Sequence, residues 1–321
     1  MSVILIIVNG RDIASVVQAE ALLEKGDWQK GDLVEECQTW NLKETYIWWL
    51  NANVLYENNL DKRWFEATGI SVDEIIFPSR HSSKSGIPSL TLHYIGVPHL
   101  SPTENSPYGG KSGKAPPPNT RLAAWFRLLN KKYKESKIDG NFELTLETTH
   151  HGPWIETPSL YIEIGSDSHA WGRTDAAEIL ADVIWEGLGL DGSGDIGFWK
   201  ESQNTSEHVI ICLGGGHYAP RHTSLALNEG IWLGHILANY SLPMEKPDHE
   251  VTVDPLTWPK GNWISSIKEV ISSTKKAYGD AKISAYLDRK SFKGWQRRAI
   301  IYYLESENIF VGRTSDFVKS S

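Results

Sequence analysis

Three runs of apolar, largely β-branched residues constrain the fold first. Val3-Ile-Leu-Ile-Ile-Val8, Leu160-Tyr-Ile-Glu-Ile164 and His208-Val-Ile-Ile-Cys-Leu213 are nearly continuous rather than alternating, the pattern of strands covered on both faces. Stretches of helical spacing separate them. Asp12 is placed to cap a helix through Val16, Val17, Ala19, Leu22 and Leu23, ending at Gly26. A further strand is expected at Glu74-Ile-Ile-Phe77, stopped by Pro78, and another from Leu90 to Ile95, stopped by Gly96. Phe142, Leu144 and Leu146 alternate with Glu143, Thr145 and Glu147, which marks a strand with one buried face. Leu122, Phe126, Leu129 and Tyr133 share a helix face after Asn119 or Thr120, and Asp175-Ala-Ala-Glu178 reads as a capping box for the next helix.

Trp263, Ile264, Ile267, Val270 and Ile271 form one helical stripe, and Trp295, Ala299, Tyr302 and Tyr303 a second, so residues 255–321 are expected to be mostly helical. From Gly96 to Pro118, ten of 23 residues are Gly or Pro, which predicts an irregular surface insertion at 96–118. Strands alternating with helices predict an α/β class: a central mixed, largely buried sheet flanked by helices, in a single domain over 1–321. No internal repeat, GxGxxG, Walker loop or Gly-x-Ser-x-Gly elbow occurs, which argues against dinucleotide, nucleotide-hydrolysing and serine-esterase readings.

Composition narrows the class further. The net charge of −8 argues against nonspecific coating of nucleic acid, because neutralising phosphates supplies most of that affinity. The early apolar run of six residues is too short for a membrane span, which needs about 20, so no membrane association is expected. Two cysteines, Cys37 and Cys212, offer neither a disulfide framework nor a Cys-rich zinc motif, and fit a reducing, cytoplasmic compartment. The 14 tryptophans read chiefly as packing residues.

Histidine placement carries the functional signal. Thr149-His-His-Gly-Pro153 follows the strand from Phe142, and Gly214-Gly-Gly-His-Tyr-Ala-Pro-Arg-His222 follows the strand from His208. Arg80-His-Ser-Ser-Lys-Ser-Gly86 follows a strand as well, with His93 in the next. Ligands of open α/β sheets bind beyond the carboxyl ends of strands, so these imidazoles are expected to converge. Zinc would draw three or four ligands from His, Asp or Glu here, and Glu163 could act as ligand or general base. Three glycines after a buried strand suggest a tight turn whose N–H groups could hold an anion or a developing oxyanion.

At these residues the sequence resembles the D-aminoacyl-tRNA deacylases of the archaeal and plant type. The strings Glu147-Thr-Thr-His-His-Gly-Pro153, Tyr161-Ile-Glu-Ile-Gly-Ser166 with Trp171, and Gly215-Gly-His-Tyr-Ala-Pro-Arg-His222 carry the likeness, in family order from the first strand to about Ile309. The resemblance implies hydrolysis of the ester joining a D-amino acid to the 3′ end of tRNA, as translation quality control, and extends to aldehyde-modified D-aminoacyl groups. It also implies zinc dependence and a sheet related to phosphorylase/hydrolase-like and peptidyl-tRNA hydrolase folds. On this basis His150, His151, Glu163 and His217 are the expected catalytic residues, and a subset of His150, His151, His217 and His222 the expected metal ligands. His81, Lys84, His93, Gly214, Gly215, Gly216 and Arg221 are expected to bind substrate. The Pro-rich stretch and the Tyr-Ile-Gly-Val sequence after His93 depart from the family pattern, so the pocket rim is expected to differ.

The expected chemistry is zinc polarising the ester carbonyl or supplying hydroxide, with Glu163 or an imidazole passing a proton to the ribose oxygen. A competing account gives most of the catalysis to the tRNA 2′-hydroxyl. Between Lys111 and Lys137 eight basic residues face one acidic residue, Glu135; Lys111, Lys114, Arg127, Lys131 and Lys132 are the expected tRNA contacts. Arg289, Lys290, Lys293, Arg297 and Arg298 form a second basic group. The expected partner is the acceptor end of D-aminoacyl-tRNA, met by a monomer. The main rival is a zinc-dependent peptidase or amidohydrolase acting on a small amino-acid derivative. A non-catalytic RNA-binding protein with a structural metal is weaker, since such sites favour cysteine.

Overall fold

The computed structural model describes residues 2–204 and 206–318. Two sheets form its frame. The first has eight strands: β1 (Ile4–Asn9), β2 (Gln29–Lys30), β3 (Thr39–Leu42), β4 (Thr45–Leu50), β5 (Glu74–Arg80), β6 (Ser89–His93), β7 (Glu143–Leu146) and β8 (Ser159–Gly165). Their order is β2-β3-β4-β1-β5-β8-β6-β7. Strands β4, β1, β5 and β8 run parallel, and β6 lies antiparallel to β8. The second sheet contains β9 (His208–Leu213), β10 (Trp232–Leu237), β11 (Lys282–Leu287) and β12 (Phe310–Gly312), ordered β10-β9-β11-β12 and parallel throughout.

Side-chain alternation divides the first sheet into two faces. Ile4, Ile6, Val8, Leu90, Leu92, Leu160, Ile162 and Ile164 join one core with α1 (Ile13–Leu23), α3 (Leu122–Glu135) and α5 (Thr174–Gly187). Leu5, Ile7, Ile75, Phe77 and Tyr161 face the other way, against α2 (Leu60–Thr68) and Trp48. Each such side chain, fully buried, contributes roughly 1.5–3 kcal/mol. Asp12 caps α1 through Ala14 N at 3.0 Å, and its other oxygen accepts Arg80 N at 3.0 Å, which fixes the end of β5. Helix α4 (Ser168–Trp171) follows β8, and α6 (Glu201–Asn204) precedes β9.

One core joins the sheets. Ile210, Cys212, Leu233 and Ile236 pack with α3, while Val209, Ile211 and Leu213 face α8 (Trp263–Tyr278) and α9 (Gly294–Ser306). Helix α7 (Pro220–Ala226) connects β9 to β10, and α10 (Thr314–Phe317) closes the described chain.

Several expectations change. β5 passes through Pro78 to Arg80 because its register with β1 ends at Ile76, so a residue without N–H is tolerated beyond it. The C-terminal part is mostly helical, but it also carries β11 and β12, which the pattern did not show and which extend the second sheet. Arg173, not Asp175, is the N-cap of α5, and Asp175 instead pairs with the Arg173 guanidinium at 2.6 Å. Residues 96–118 contain no helix or named strand, as expected.

Candidate active site

Five chain segments deliver imidazoles and carboxylates to one buried point, on the face of the first sheet opposite α1, α3 and α5. His81 follows β5, His93 ends β6, Glu147, His150 and His151 follow β7, Glu163 lies within β8, and His217 follows β9. In β6 and β8 the period of two turns Thr91, His93, Tyr161 and Glu163 to this face while their neighbours enter the core. Glu147 bridges to Tyr218 across the two sheets, and this brings the loop after β9 over the loop after β7.

Glu147 is the centre of the group. It has no exposed surface. Oε1 lies 3.0 Å from His81 Nδ1, and Oε2 lies 2.9 Å from His217 Nε2 and 3.4 Å from His150 Nε2. Glu163 Oε2 is 3.7 Å from His81 Nδ1 and 3.6 Å from His93 Nε2. The His150 ring centroid is 4.2 Å from that of His93, 4.1 Å from His151 and 4.5 Å from His217. His93 stacks on Tyr161 at 4.9 Å, and Tyr161 stacks on Phe77 at 4.8 Å. His217, with 38% of its side chain exposed, stands at the mouth.

Backbone contacts fix the ring tautomers. His93 Nδ1–H donates to Tyr94 O at 3.0 Å and His150 Nδ1–H to Thr148 O at 2.7 Å, so both present an Nε2 lone pair inward. His81 Nε2 meets the Tyr218 hydroxyl at 2.8 Å. Thr149 N donates to Ile236 O at 2.6 Å, and Thr149 Oγ1 lies 3.0 Å from His235 Nδ1, whose Nε2–H donates to Pro116 O at 3.0 Å. At His151 the backbone φ is 22°, and at Gly152 it is 93°; a Cβ on Gly152 would lie 2.7 Å from Ile95 Cγ2. Glycine is therefore required to close this turn against β6.

Both oxygens of Glu147 and Glu163, Nε2 of His93 and Nδ1 of His151 are buried without a hydrogen bond of acceptable geometry. Leaving so many polar atoms unsatisfied is costly, and native proteins reserve such clusters for ligands, ions or chemistry. Three triads place one donor atom per residue within 4.8 Å of one another: His93–His150–His151, His81–Glu147–His217 and His93–Glu147–Glu163. The electrostatics diverge across the cluster. Burial opposes charge on His81, but Glu147 and Glu163 outweigh it and push its pKa up to about 11. Burial and the neighbouring His93 take His151 down to about 3, and burial with His151 and His93 holds His150 far below the usual imidazole range. Burial would raise Glu147, yet His217 and His81 beside it hold its carboxyl well below the carboxylate range. Burial opposes charge on His93 as well, but Glu163 beside it favours the charged form. Ionised carboxylates beside the two rings held neutral, His150 and His151, are therefore the part of the cluster suited to a borderline cation such as zinc.

Not every expected residue joins this group. His222, on α7, donates from Nε2 to Gly214 O at 3.0 Å, packs against Tyr286 and belongs to none of the triads; burial pushes it down to about 4. It braces the glycine turn and lies apart from the imidazole cluster. Gly214 N donates to Leu237 O at 2.7 Å and Gly215 N to Ser291 Oγ at 2.7 Å, so neither is free to stabilise an oxyanion, and only Gly216 of the three keeps that option among the described residues. Arg221 pairs with Asp288 at 3.1 Å, and Lys84 is exposed on the loop before β6.

The expected RNA contacts also divide. Arg127 Nη1 donates to Ala226 O at 2.8 Å and Asn228 O at 3.1 Å, closing the end of α7, and Lys132 pairs with Glu186. Both have partners within the chain. Lys131 is exposed, but α3 covers the sheet face opposite the imidazoles. Lys114 pairs with Glu269 at 2.8 Å, and Lys111 lies 5.2 Å over the Trp154 ring, just beyond Gly152 and Pro153.

Glu147, Tyr218 and His235 belong to the site or its support although the residue patterns did not single them out. For Glu147 a signal existed: it closes the polar side of the β7 alternation immediately before the paired histidines. His235 had none, standing inside an apolar run with no motif around it.

Comparison with known proteins agrees with this geometry. The family model for D-aminoacyl-tRNA deacylase matches residues 68–312. A D-aminoacyl-tRNA deacylase of Arabidopsis thaliana is 45% identical over 316 residues, covering 98% of this chain and 99% of that protein. One from Thermococcus onnurineus is 35% identical over 240 residues, covering 73% and 80%. A crystal structure of a conserved protein of unknown function superposes with a TM-score of 0.75 at 25% identity, covering 98% of this chain and 96% of that one. A matched family model over most of the chain, a near-full-length relative and a convergent histidine–carboxylate centre have one common meaning: this chain belongs to the D-aminoacyl-tRNA deacylase family.

Proposed function

We infer that the chain hydrolyses the ester joining a D-amino acid to the 3′ end of tRNA, and we propose that it does so at the centre built around Glu147. The observation that carries this reading is the set of buried, unsatisfied oxygens on Glu147 and Glu163 among imidazoles drawn from distant parts of the chain. Family membership disfavours a peptidase or amidohydrolase acting on a small amino-acid derivative.

His93, His150 and His151 are the residues proposed to hold zinc, since their donor atoms converge and two of the rings are already oriented by backbone carbonyls. When bound, zinc supplies Lewis-acid polarisation and lowers the pKa of water to about 7. The chain's own residues supply the rest. Glu147 holds the His217 imidazole at 2.9 Å, where the half-exposed ring can move a proton to the departing ribose oxygen. Glu163 lies too deep to meet substrate; its proposed role is to balance charge and orient His81 and His93. This proposal departs from the expected proton-carrying Glu163, zinc-binding His217 and His222, and substrate-binding His93.

The test is deacylation of matched D- and L-aminoacyl-tRNAs together with metal content. His151→Ala should lose both zinc and D-specific hydrolysis, whereas His217→Ala should keep its zinc and lose hydrolysis. Loss of zinc in His217→Ala would move His217 to the metal and remove its proton role. Full activity in both variants would remove the site.

A further inference from the structure

The second sheet has a topological reversal that the chemistry above leaves unused. From β9 the chain passes through α7 to β10 on one side, then returns through α8 to β11 on the other side of β9. In parallel α/β sheets such a reversal opens a crevice at the carboxyl ends of the strands, where ligands bind. Here the reversal point lies between the loop after β9, which carries His217, and the loop after β11, Asp288 to Lys293, with the ligand-facing surface on their outer rim.

The two loops are pressed together. Asp288 N donates to Leu213 O at 2.8 Å and Gly215 N to Ser291 Oγ at 2.7 Å. At Gly214 φ is 105°, and a Cβ there would lie 2.8 Å from the Phe292 ring and 3.1 Å from Asp288 O. This close approach, not an oxyanion, is what the first glycine serves. The loop after β10 joins them: Asn239 N donates to Gly215 O at 3.0 Å and Asn239 Nδ2 to Ser291 O at 3.3 Å. The next residue, Tyr240, is 51% exposed.

The charge at this edge runs against the acidic chain. Arg289, Lys290, Lys293 and Arg298 are exposed, and among the described residues none of them forms an ion pair. Arg297 braces them, donating from Nη1 to Arg289 O at 2.9 Å. The one acid in this stretch, Asp288, is buried and turned inward, accepting from Lys290 N at 3.1 Å and Ser291 Oγ at 2.9 Å and pairing with Arg221. A rim of unpaired cations with an exposed aromatic ring beside it has the two elements that hold single-stranded RNA: phosphate neutralisation and base stacking.

We propose that Arg289, Lys290, Lys293 and Arg298, with Tyr240, form the binding surface for the phosphates and bases of the single-stranded 3′ end of the tRNA substrate, and hold the ester over His217. The proposal rests on the deacylase reading and gives the second sheet its function: it carries RNA, while the first sheet carries most of the reacting groups. The surface lies on the strand ends that deliver His217, unlike α3 and its lysines.

The test compares Arg289→Glu/Lys290→Glu with Lys131→Glu/Lys134→Glu and the wild-type protein. Uncharged tRNA binding and D-aminoacyl-tRNA turnover are followed across salt concentrations, beside turnover of 3′-O-D-aminoacyl-adenosine, which has no phosphates. The Arg289/Lys290 variant should bind tRNA at least about tenfold more weakly at low salt. Its slope of log affinity against log salt should fall by about 1.4, or ~0.7 for each lost single-strand contact. Its turnover of the adenosine ester should equal that of the wild type. Unchanged tRNA affinity and slope would overturn the proposal, as would an equal loss on the adenosine ester or an equal loss from the α3 variant. If the wild-type protein binds tRNA through this rim yet hydrolyses neither ester, the deacylase reading fails while the surface stands.

Discussion

Strand β5 carries a buried ionic cluster at each end, and the two are built on opposite principles. At its start, Glu74 receives Arg121 Nε at 2.7 Å, Arg121 Nη2 at 2.8 Å and Asn119 Nδ2 at 2.9 Å, while Arg121 Nη1 donates to Gly187 O at 3.0 Å and Ile196 O at 2.9 Å. Every donor of that guanidinium is used. Just past its end, His81 enters a cluster in which four carboxylate oxygens lack a hydrogen bond. The closed cluster holds α3 and the 187–196 turn to the sheet. The open one joins its segments only through imidazole–carboxylate contacts, and under the proposal above its unsatisfied atoms prepare it for an ion and a substrate. On the proposed reading, the amino end of one strand serves stability and its carboxyl end chemistry, as α/β sheets generally arrange their sites.

The contrast can be broken from either side. The largest effect is expected at the open end: His150→Ala should lower D-aminoacyl-tRNA hydrolysis by at least ~10³-fold, because ligand and charge partner go together, while the urea midpoint stays near that of wild type. A steady-state assay paired with urea unfolding reads both, and a large drop in midpoint would show the ring to be structural. At the closed end the pattern reverses. Arg121→Ala strands a buried carboxylate and should cost about 3–5 kcal/mol, with turnover per folded molecule preserved; a stable but inactive variant would show that the two ends are not separable.

How far the sequence revealed this contrast depends on the residue. Strands β1 and β9 were legible because an apolar run covered on both faces has few alternatives, and the observed bounds of β9, His208–Leu213, are those of the run itself. His150, His151 and His217 were legible because imidazoles recur at the carboxyl ends of several strands, where α/β sheets bind their ligands. Glu147 was hidden because an acid on the polar side of an alternating strand reads as solvent-facing, whereas here that side is closed by the second sheet. β10 was hidden by Gly234 and His235 in its middle, and β11 by its short run after Lys282. His222 shared a motif with His217, but the turn into α7 points it back at Gly214. Arg127 and Lys132 counted as surface charge until the end of α7 and Glu186 were found opposite them.

Support of the open end should show intermediate effects. His235 ties Thr149 to Pro116 from a fully buried position, so His235→Ala is expected to cost about 1–3 kcal/mol through partners left unpaired. It should also reduce kcat more than it changes KM for the adenosine ester, by displacing His150; unchanged kinetics would confine it to stability. The smallest effect is in acid. Burial depresses His222 to about 4 and His235 to about 3, below the ordinary value of about 6.5. The unfolded chain therefore binds protons that the native one refuses as pH falls below about 6.5, and stability declines with it. Between pH 6.5 and 5 each group should cost about 1–2 kcal/mol, and His222→Gln should flatten the pH dependence of the urea midpoint. An unchanged profile would mean that the ring is not neutral in the native state.

The claim on which all this rests is that Glu147 is the hub of the reacting centre, and Glu147→Gln tests it most directly because the shape is kept and only the carboxylate charge is lost. Measured on matched D- and L-aminoacyl-tRNAs, the variant should lose nearly all hydrolysis of the D-ester per folded molecule, with an unfolding midpoint moderately below that of wild type at neutral pH, since the carboxylate that pairs with His81 and His217 has gone. Full hydrolysis by this variant, or a collapse of its stability with turnover per folded molecule intact, would contradict the account.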